Sequence, residues 1–179
     1  MFWQKYLDSN GKDVIQVSGI GSYSLKDSFE CGQCFRHRLI SDENGKTEYM
    51  TVIENELIIV SQSKPGELFF YGISEEIFER IVIPYFSLDR DYQAIKADII
   101  SKTDSDWLKR AAEYGKGIAI FKQNEWEALF SFIVSQNNNI PRIKKIIAQI
   151  AGAYGVNICL QKSPLRHKKR VTGGVILYN

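Results

Sequence analysis

The chain has 179 residues, of which 44% are hydrophobic and 25% are charged, and its formal net charge is +2. This composition is typical of a globular protein and argues against a collagen, a coiled coil or a disordered tail. The charge is divided unevenly, because eight lysines and arginines and no acid follow Glu127, whereas residues 1–127 hold 15 basic and 21 acidic residues. Such a division indicates that the C-terminal part contacts an anion, most often nucleic acid or a membrane surface.

The sequence gives no sign of a membrane or secreted protein. No segment is long and apolar enough to span a bilayer, and the N-terminal residues lack the apolar core of a signal peptide. The three cysteines, Cys31, Cys34 and Cys159, are too few for a disulfide framework, and their odd number favours reduced thiols. We therefore expect a cytoplasmic protein, associated with the nucleoid if the source is bacterial, with no membrane partner.

The first third of the chain has the patterns of β-strands. Polar and apolar residues alternate over 13–19, which predicts a half-buried strand. Residues 34–40 and 46–53 predict a hairpin, because the Asn-Gly pair at 44–45 is a strong turn signal. A further strand over 56–62 follows a weaker turn. Together these segments predict a short antiparallel meander.

Helical patterns follow the strands. Ser74 is suited to cap the helix that comes after it, and Pro84 is expected to interrupt that helix. Residues 89–100 and 104–115 predict two more helices, the second ending at Gly115.

Residues 124–155 predict a pair of helices joined by a polar turn. Asn124 is expected to cap the first helix, and Pro141 is tolerated in the first turn of the second. Apolar residues recur at helical spacing, so we expect an apolar seam between the helices and a basic, polar mouth at the turn. The seam residues are Trp126, Leu129, Phe130, Ile133 and Val134 in the first helix and Ile140, Ile143, Ile146, Ile147 and Ile150 in the second.

These patterns predict an α+β fold class in three parts. Residues 1–120 form an N-terminal α+β domain, residues 121–155 hold a helix pair, and residues 156–179 are an atypical basic tail. The tail contains the cluster RHKKR at 166–170. Such clusters are usually solvated and only sometimes bind nucleic acid, so this signal is weak.

Cys31 and Cys34 form a C-x-x-C pair, which is compatible with half of a zinc site or with a redox pair. The other candidate ligands, His37, His167 and Cys159, form no second pair at ligand spacing. A thioredoxin-like site needs the motif at a strand-to-helix junction, whereas here it precedes a hairpin. We therefore expect no metal and no cofactor, and we interpret the cysteines as small side chains beside a turn that needs a glycine.

The segment QNNNIPR, residues 136–142, allows two interpretations. In the first, it is an inter-helix turn whose asparagines cap the next helix. In the second, the helix N-terminus, the amide side chains and the cations Arg142, Lys144 and Lys145 point outward together, where they would hold phosphates and hydrogen-bond to base edges. The residues alone favour neither interpretation.

Three segments in the same order resemble a known family. Residues 129–155 closely resemble the helix pair of 8-oxoguanine DNA glycosylases. Residues 29–39, FECGQCFRHRL, resemble the early glycine-containing turn of that family, and residues 85–95 resemble the segment that joins the two. The resemblance covers about residues 13–155.

The resemblance implies that the N-terminal part is a twisted antiparallel sheet with helices, similar to the TATA-binding-protein fold, followed by an incomplete all-α part. It implies an enzyme that flips a damaged guanine out of the duplex into a pocket. The backbone carbonyl of Gly32 would accept the proton on N7 of 8-oxoguanine, which normal guanine lacks. Asn137 would fill the gap left by the flipped base, and Arg142 would donate to the orphaned cytosine. Asn138 and Asn139 would hold the turn and cap the helix. The predicted DNA-binding residues are therefore Asn137, Asn138, Asn139, Arg142, Lys144 and Lys145.

The sequence also departs from the family it resembles. His37 stands where an aromatic residue is common, and Pro141 lies in the step from turn to helix, but neither is expected to change the named contacts. The family's catalytic lysine lies in a later helix–hairpin–helix, and a later aspartate stabilises charge on the sugar. Neither has a counterpart here, since no carboxylate follows Glu127. We therefore assign no catalytic residue and expect a truncated chain that is inactive alone.

The leading interpretation is base-excision repair of oxidised purines, chiefly 8-oxoguanine, with double-stranded DNA containing oxidised guanine as the partner. The chain resembles a bifunctional DNA N-glycosylase and AP lyase that keeps recognition elements. The second interpretation is a non-catalytic DNA-binding module that uses the polar turn and the basic tail. The third is a thiol or metal protein that uses Cys31 and Cys34.

Overall fold

The computed structural model describes residues 1–155. Within that range the strands are β1 (Phe2–Leu7), β2 (Asp13–Ser18), β3 (His37–Glu43), β4 (Lys46–Ile53), β5 (Glu56–Gln62) and β6 (Leu68–Tyr71). The helices are α1 (Leu25–Glu30), α2 (Glu75–Ile77), α3 (Ile83–Phe86), α4 (Tyr92–Ser101), α5 (Asp106–Tyr114), α6 (Glu125–Ser135) and α7 (Ile140–Tyr154). The predicted basic tail, residues 156–179, lies outside the described residues.

In this part of the chain the strands form one six-stranded sheet in the order β1-β2-β6-β5-β4-β3, and every neighbouring pair is antiparallel. The predicted α+β class and the strands over 13–19, 46–53 and 56–62 are confirmed. The predicted hairpin joins β3 and β4, with Asn44 (φ 54°) and Gly45 (φ 73°) both left-handed, as a type I′ turn requires. Strand β3 begins at His37 rather than near residue 34.

The hydrophobic core lies between the sheet and the short helices, and aromatic rings fill much of it. Phe29 of α1, Phe70 of β6 and Phe86 of α3 are fully buried, and their rings contact one another edge-on through Phe86. The segment 117–123 adds Phe121, whose ring lies 5.1 Å from that of Phe29. This core holds α1 and the segment before α6 in fixed positions, which matters for the site below.

The helix after Ser74 shows how a proline is accommodated. Ser74 caps it as predicted, with its side chain accepting from the N–H of Ile77. The prediction that Pro84 interrupts the helix is wrong, because a π-helical segment (Phe78–Val82) continues the helix into α3. Pro84 lies in the first turn of α3, where its missing N–H is not needed. The helix ends at Ser87, which is left-handed at φ 51°.

Helices α6 and α7 contact each other and form the predicted pair, capped by Asn124 and Asn139. The predicted seam is only partly correct. In α7, Ile143 and Ile147 are buried, but in α6 the side chains of Trp126 and Ile133 are 73% and 61% exposed. The apolar face of α6 therefore points away from α7 over much of its length. Along residues 1–155 no helix combines the length and apolarity needed to cross a bilayer.

Candidate nucleic-acid interface

The glycine turn, residues 31–36, connects α1 to β3 and is anchored by Gln33. The side-chain amide of Gln33 donates to the carbonyls of Ser28 (2.7 Å) and Ala119 (2.8 Å), and its oxygen accepts from the N–H of Phe121 (2.8 Å). The backbone carbonyl of Gln33 accepts from the side chain of Gln123 (2.5 Å). Three of these hydrogen bonds fix the backbone beside Gly32 to the segment that leads into α6, and the fourth fixes it to α1.

Gly32 needs to be a glycine for a backbone reason. Its φ is +87°, in the left-handed region that side chains other than glycine rarely adopt. A Cβ built at Gly32 would lie 3.5 Å from Cδ1 of Ile140, which is an ordinary contact distance. The backbone conformation, rather than crowding, thus selects the glycine. The same distance shows that the first residue of α7 lies against the glycine turn.

The two cysteines of this turn differ: Cys34 packs as a small side chain, as the sequence suggested, whereas Cys31 is exposed. The thiol of Cys31 lies 3.4 Å from the carbonyl of Ser28, and Cys34 is buried in the core. Burial raises the pKa of the Cys34 thiol to about 12, so it stays protonated and unreactive near neutral pH. Among residues 1–155, no group of three or more His, Cys, Asp or Glu side chains is placed to bind a metal ion.

The asparagines of the inter-helix turn have different environments. The side chain of Asn138 donates to the carbonyl of Val134 (2.8 Å), and that of Asn139 accepts from the N–H of Arg142 (3.0 Å) as the α7 cap. Asn137 is exposed and left-handed, with φ 55°. Two asparagines therefore hold the turn, and the third presents its side chain at the tip.

The three cations predicted at the turn do not share one environment. Arg142 and Lys145 are exposed. The ammonium of Lys144 is partly buried and lies 3.0 Å from Nε2 of His37, at the start of β3. Gly32 thus lies against the first residue of α7, with Asn137 just before that helix and Arg142 in its first turn, while Lys144 reaches back to the sheet.

Sequence analysis missed an ion pair between the glycine turn and α6. Nη1 of Arg36 donates to Glu127 at 2.8 Å, and the two side chains are only 15% and 24% exposed. Burial raises the pKa of Glu127, and the neighbouring guanidinium opposes that rise. Nε and Nη2 of Arg36 are buried and have no hydrogen-bond partner among residues 1–155. Because the partners are 91 positions apart, no local pattern could have found them.

The surroundings of His37 were also missed. Its ring lies between aromatic neighbours, 4.8 Å from the ring of Phe29 and 5.9 Å from that of Tyr49. Burial and, secondarily, the charge of Lys144 lower the pKa of His37 to about 4, so the imidazole is neutral near neutral pH. A neutral ring accepts the Lys144 hydrogen bond on Nε2, and its Nδ1 then faces the Cys34 thiol at 3.5 Å.

Comparison with known proteins identifies the family. Residues 17–129 match the family model for the 8-oxoguanine DNA glycosylase, N-terminal domain. The chain belongs to this family. The match begins at the end of β2, spans the glycine turn and strands β3 to β6, and ends within α6.

Relatives of this glycosylase family member support the assignment. The chain is 26% identical to the N-glycosylase/DNA lyase of Saccharomyces cerevisiae over 139 residues. This alignment includes 73% of the chain and 36% of the yeast protein. The chain is also similar to the 8-oxoguanine glycosylase/lyase of Clostridium acetobutylicum. The apo structure has 31% identity and a TM-score of 0.74, and the complex with double-stranded DNA containing cytosine opposite 8-oxoG has 30% identity and a TM-score of 0.75.

Coverage differs between the two sides of these comparisons. The alignments with the Clostridium structures include 99% of this chain but only 54% and 53% of those chains. The chain therefore spans about half the length of the solved relatives and about a third of the yeast protein. The family and the fold follow from these matches, whereas the activity of the whole relatives does not.

Proposed function

We propose that this chain recognises 8-oxoguanine in double-stranded DNA for base-excision repair. The observation that carries the proposal is the contact between the glycine turn and the start of α7, where Cδ1 of Ile140 lies 3.5 Å from the Cβ position of Gly32. This contact puts the backbone expected to read the lesion beside the turn expected to enter the duplex. The Clostridium relative has been solved with 8-oxoG opposite cytosine, which supports the same substrate here.

The chemistry of lesion reading suits a rigid backbone carbonyl. The N7 position of 8-oxoguanine carries a proton, whereas N7 of guanine is an acceptor. A carbonyl at Gly32 pairs with the lesion and is left unpaired by guanine, a penalty of about 1–3 kcal/mol in a dry pocket. The four hydrogen bonds around Gln33 hold that backbone in place, so it cannot relax to accommodate guanine.

The contacts to the rest of the duplex come from α7 and the turn before it. Asn137 is exposed at the tip of the turn and fills the space of the flipped base. Arg142 is exposed one turn into the helix and donates to the orphaned cytosine. Lys145 is exposed on the same helix and contacts phosphate. Asn138 and Asn139 act indirectly, because their side chains shape the turn.

Binding to matched duplexes tests the proposal. The chain should bind a duplex with 8-oxoguanine opposite cytosine more tightly than the same duplex with guanine. Gly32→Ala should bring the ratio of the two affinities close to one, because alanine strains a φ of +87° and displaces the carbonyl. Gly72→Ala is the matched control, since Gly72 also has a positive φ (68°) and open space around its Cβ position. Equal binding of both duplexes by the unaltered chain would reject the proposal.

A second experiment separates lesion recognition from base removal. Borohydride treatment of the chain with the lesion duplex is expected to trap no covalent adduct, because no residue here matches the family's catalytic lysine. Supplying the helical part of a relative should restore excision if the chain is the recognition part of a glycosylase. Excision that is not restored, with lesion binding intact, would favour the alternative of a non-catalytic DNA-binding module.

A further inference from the structure

Four residues in and just after the glycine turn contact the helix pair and its approach. They lie in a stretch of six residues, and each meets a different position between Gln123 and Lys144. The pairs are Gly32 with Ile140, Gln33 with Gln123, Arg36 with Glu127, and His37 with Lys144. This short stretch is therefore a joint between the sheet region and both helices.

The contact of Lys144 is the most sharply defined point of the joint on α7. The His37 imidazole is held by the rings of Phe29 and Tyr49, so its position is fixed by the core. The ammonium of Lys144 donates to Nε2 of this ring at 3.0 Å, and the opposite nitrogen faces Cys34. A flexible lysine is thereby tied to a rigid acceptor.

The position of Lys144 on α7 gives the contact its consequence. Ile140 and Lys144 are four residues apart and share one helix face, which the structure docks on the glycine turn and on β3. Arg142 and Lys145 are exposed on other faces of the same helix. One face of α7 is thus fixed to the lesion-reading backbone, while the others are available for DNA.

We propose that Lys144 is a positioning residue that fixes α7, and with it Asn137 and Arg142, relative to Gly32. In this role it sets the spacing between the group that reads the lesion and the groups that occupy the gap and read the opposite base. Its ammonium is partly buried and gives one of its three donors to His37, so we expect it to position α7 rather than to contact phosphate. The DNA readouts of this inference rest on the proposed function, whereas the contact itself can be tested without DNA.

The DNA test compares Lys144→Met with Lys145→Met, two identical changes at adjacent positions. Affinities for the 8-oxoguanine and guanine duplexes are measured over a range of salt concentrations. Lys145→Met should weaken both complexes alike and reduce the salt slope by about one, with the preference for the lesion unchanged. Lys144→Met should leave the salt slope unchanged and reduce the preference about tenfold, as expected for loss of a charge-assisted hydrogen bond.

Variants at His37 control for a general loss of structure. His37→Phe removes the acceptor and should reproduce the effect of Lys144→Met, and the double variant should lose no further preference. His37→Gln keeps an acceptor within reach of the lysine and should retain the preference. A Lys144→Met protein whose salt slope falls like that of Lys145→Met, with its preference intact, would overturn the positioning role.

Nuclear magnetic resonance of the His37 ring tests the contact if the chain shows no preference for 8-oxoguanine. The hydrogen bond from Lys144 predicts a neutral ring protonated on Nδ1, and Lys144→Met should shift the proton towards Nε2. A ring protonated on Nε2 in the unaltered chain would overturn the inference whatever the DNA experiments give. If the unaltered chain binds the 8-oxoguanine and guanine duplexes equally but its His37 ring is protonated on Nδ1, only the proposed function is rejected.

Discussion

The sheet region and the helix pair use aromatic residues in opposite ways. In the sheet region Phe86 is fully buried, and its ring lies within 6.0 Å of the rings of Phe29, Phe70 and Phe121. In α6, Phe132 is 65% exposed. The sequences of both regions carry apolar residues at regular spacing. Such spacing predicts that a strand or helix has an apolar face, but it does not show which part of the protein covers that face.

The two regions also differ in how they are joined. The sheet region is held by a continuous apolar core, whereas the Arg36–Glu127 ion pair joins it to α6 and the His37–Lys144 hydrogen bond joins it to α7. Apolar burial is non-directional, but hydrogen bonds and ion pairs fix orientation. The polar joint therefore fixes the orientation of the two regions, which the proposed recognition of a DNA duplex would require.

The largest expected effect is in the aromatic core. Phe86→Ala should lower the free energy of unfolding by about 3–5 kcal/mol, because it leaves a cavity among packed rings. Phe132→Ala, the same change in α6, should alter it by less than about 0.5 kcal/mol. Urea denaturation of both variants checks the comparison. Similar losses would mean that the exposed face of α6 is covered in solution.

The joint at His37 should make stability depend on pH. The folded-state pKa of about 4 lies below the ordinary value of 6.5, because burial and Lys144 disfavour the charged ring. The contribution of His37 to the free energy of unfolding is therefore complete above pH 6.5 and is lost as the pH falls from 6.5 towards 4. At ~1.4 kcal/mol per pH unit, and allowing for partial exposure, the loss should be about 2–3 kcal/mol.

The difference between the unaltered chain and His37→Phe isolates this effect. The pKa of Glu127 is also shifted, upwards, by burial. Its contribution to the free energy of unfolding therefore falls as the pH rises through that pKa, which is opposite in sign to the contribution of His37. Subtracting the His37→Phe profile removes the Glu127 contribution from the comparison. Urea midpoints between pH 4 and 7 provide the measurement, and parallel profiles for the two proteins would contradict the prediction.

Local chemistry explains which parts of the fold were predictable. The β3–β4 hairpin followed from Asn44-Gly45, since both residues accept the left-handed conformation that the turn needs. Strand β1 gave no signal, because it is an edge strand whose residues are nearly all exposed and do not alternate. The six-residue helix α1 was missed because it is too short to show a periodic face. Edges and short helices depend on tertiary packing.

The same division applies to the candidate site. Gly32 and the Asn-rich turn were found because each is a local motif with its own backbone requirement. The contact of His37 with Lys144 joins residues 107 positions apart and was not predictable from one sequence. His37 departs from the family pattern in the sequence itself, whereas its partner depends on how α7 packs against β3.

The smallest predicted effect comes from removing a helix N-cap side chain, which can be done in either region. Asn139→Ala removes the side chain that caps α7, and Ser74→Ala removes the one that caps α2, each at a cost of about 1 kcal/mol. Because most residues of α7 are exposed, Asn139→Ala should raise amide hydrogen exchange mainly within α7, by about fivefold for that free energy. Ser74→Ala should instead lower the global unfolding free energy, since α2 leads directly into Phe78 and the core. Faster exchange throughout the sheet in Asn139→Ala would show that the two regions unfold as one unit.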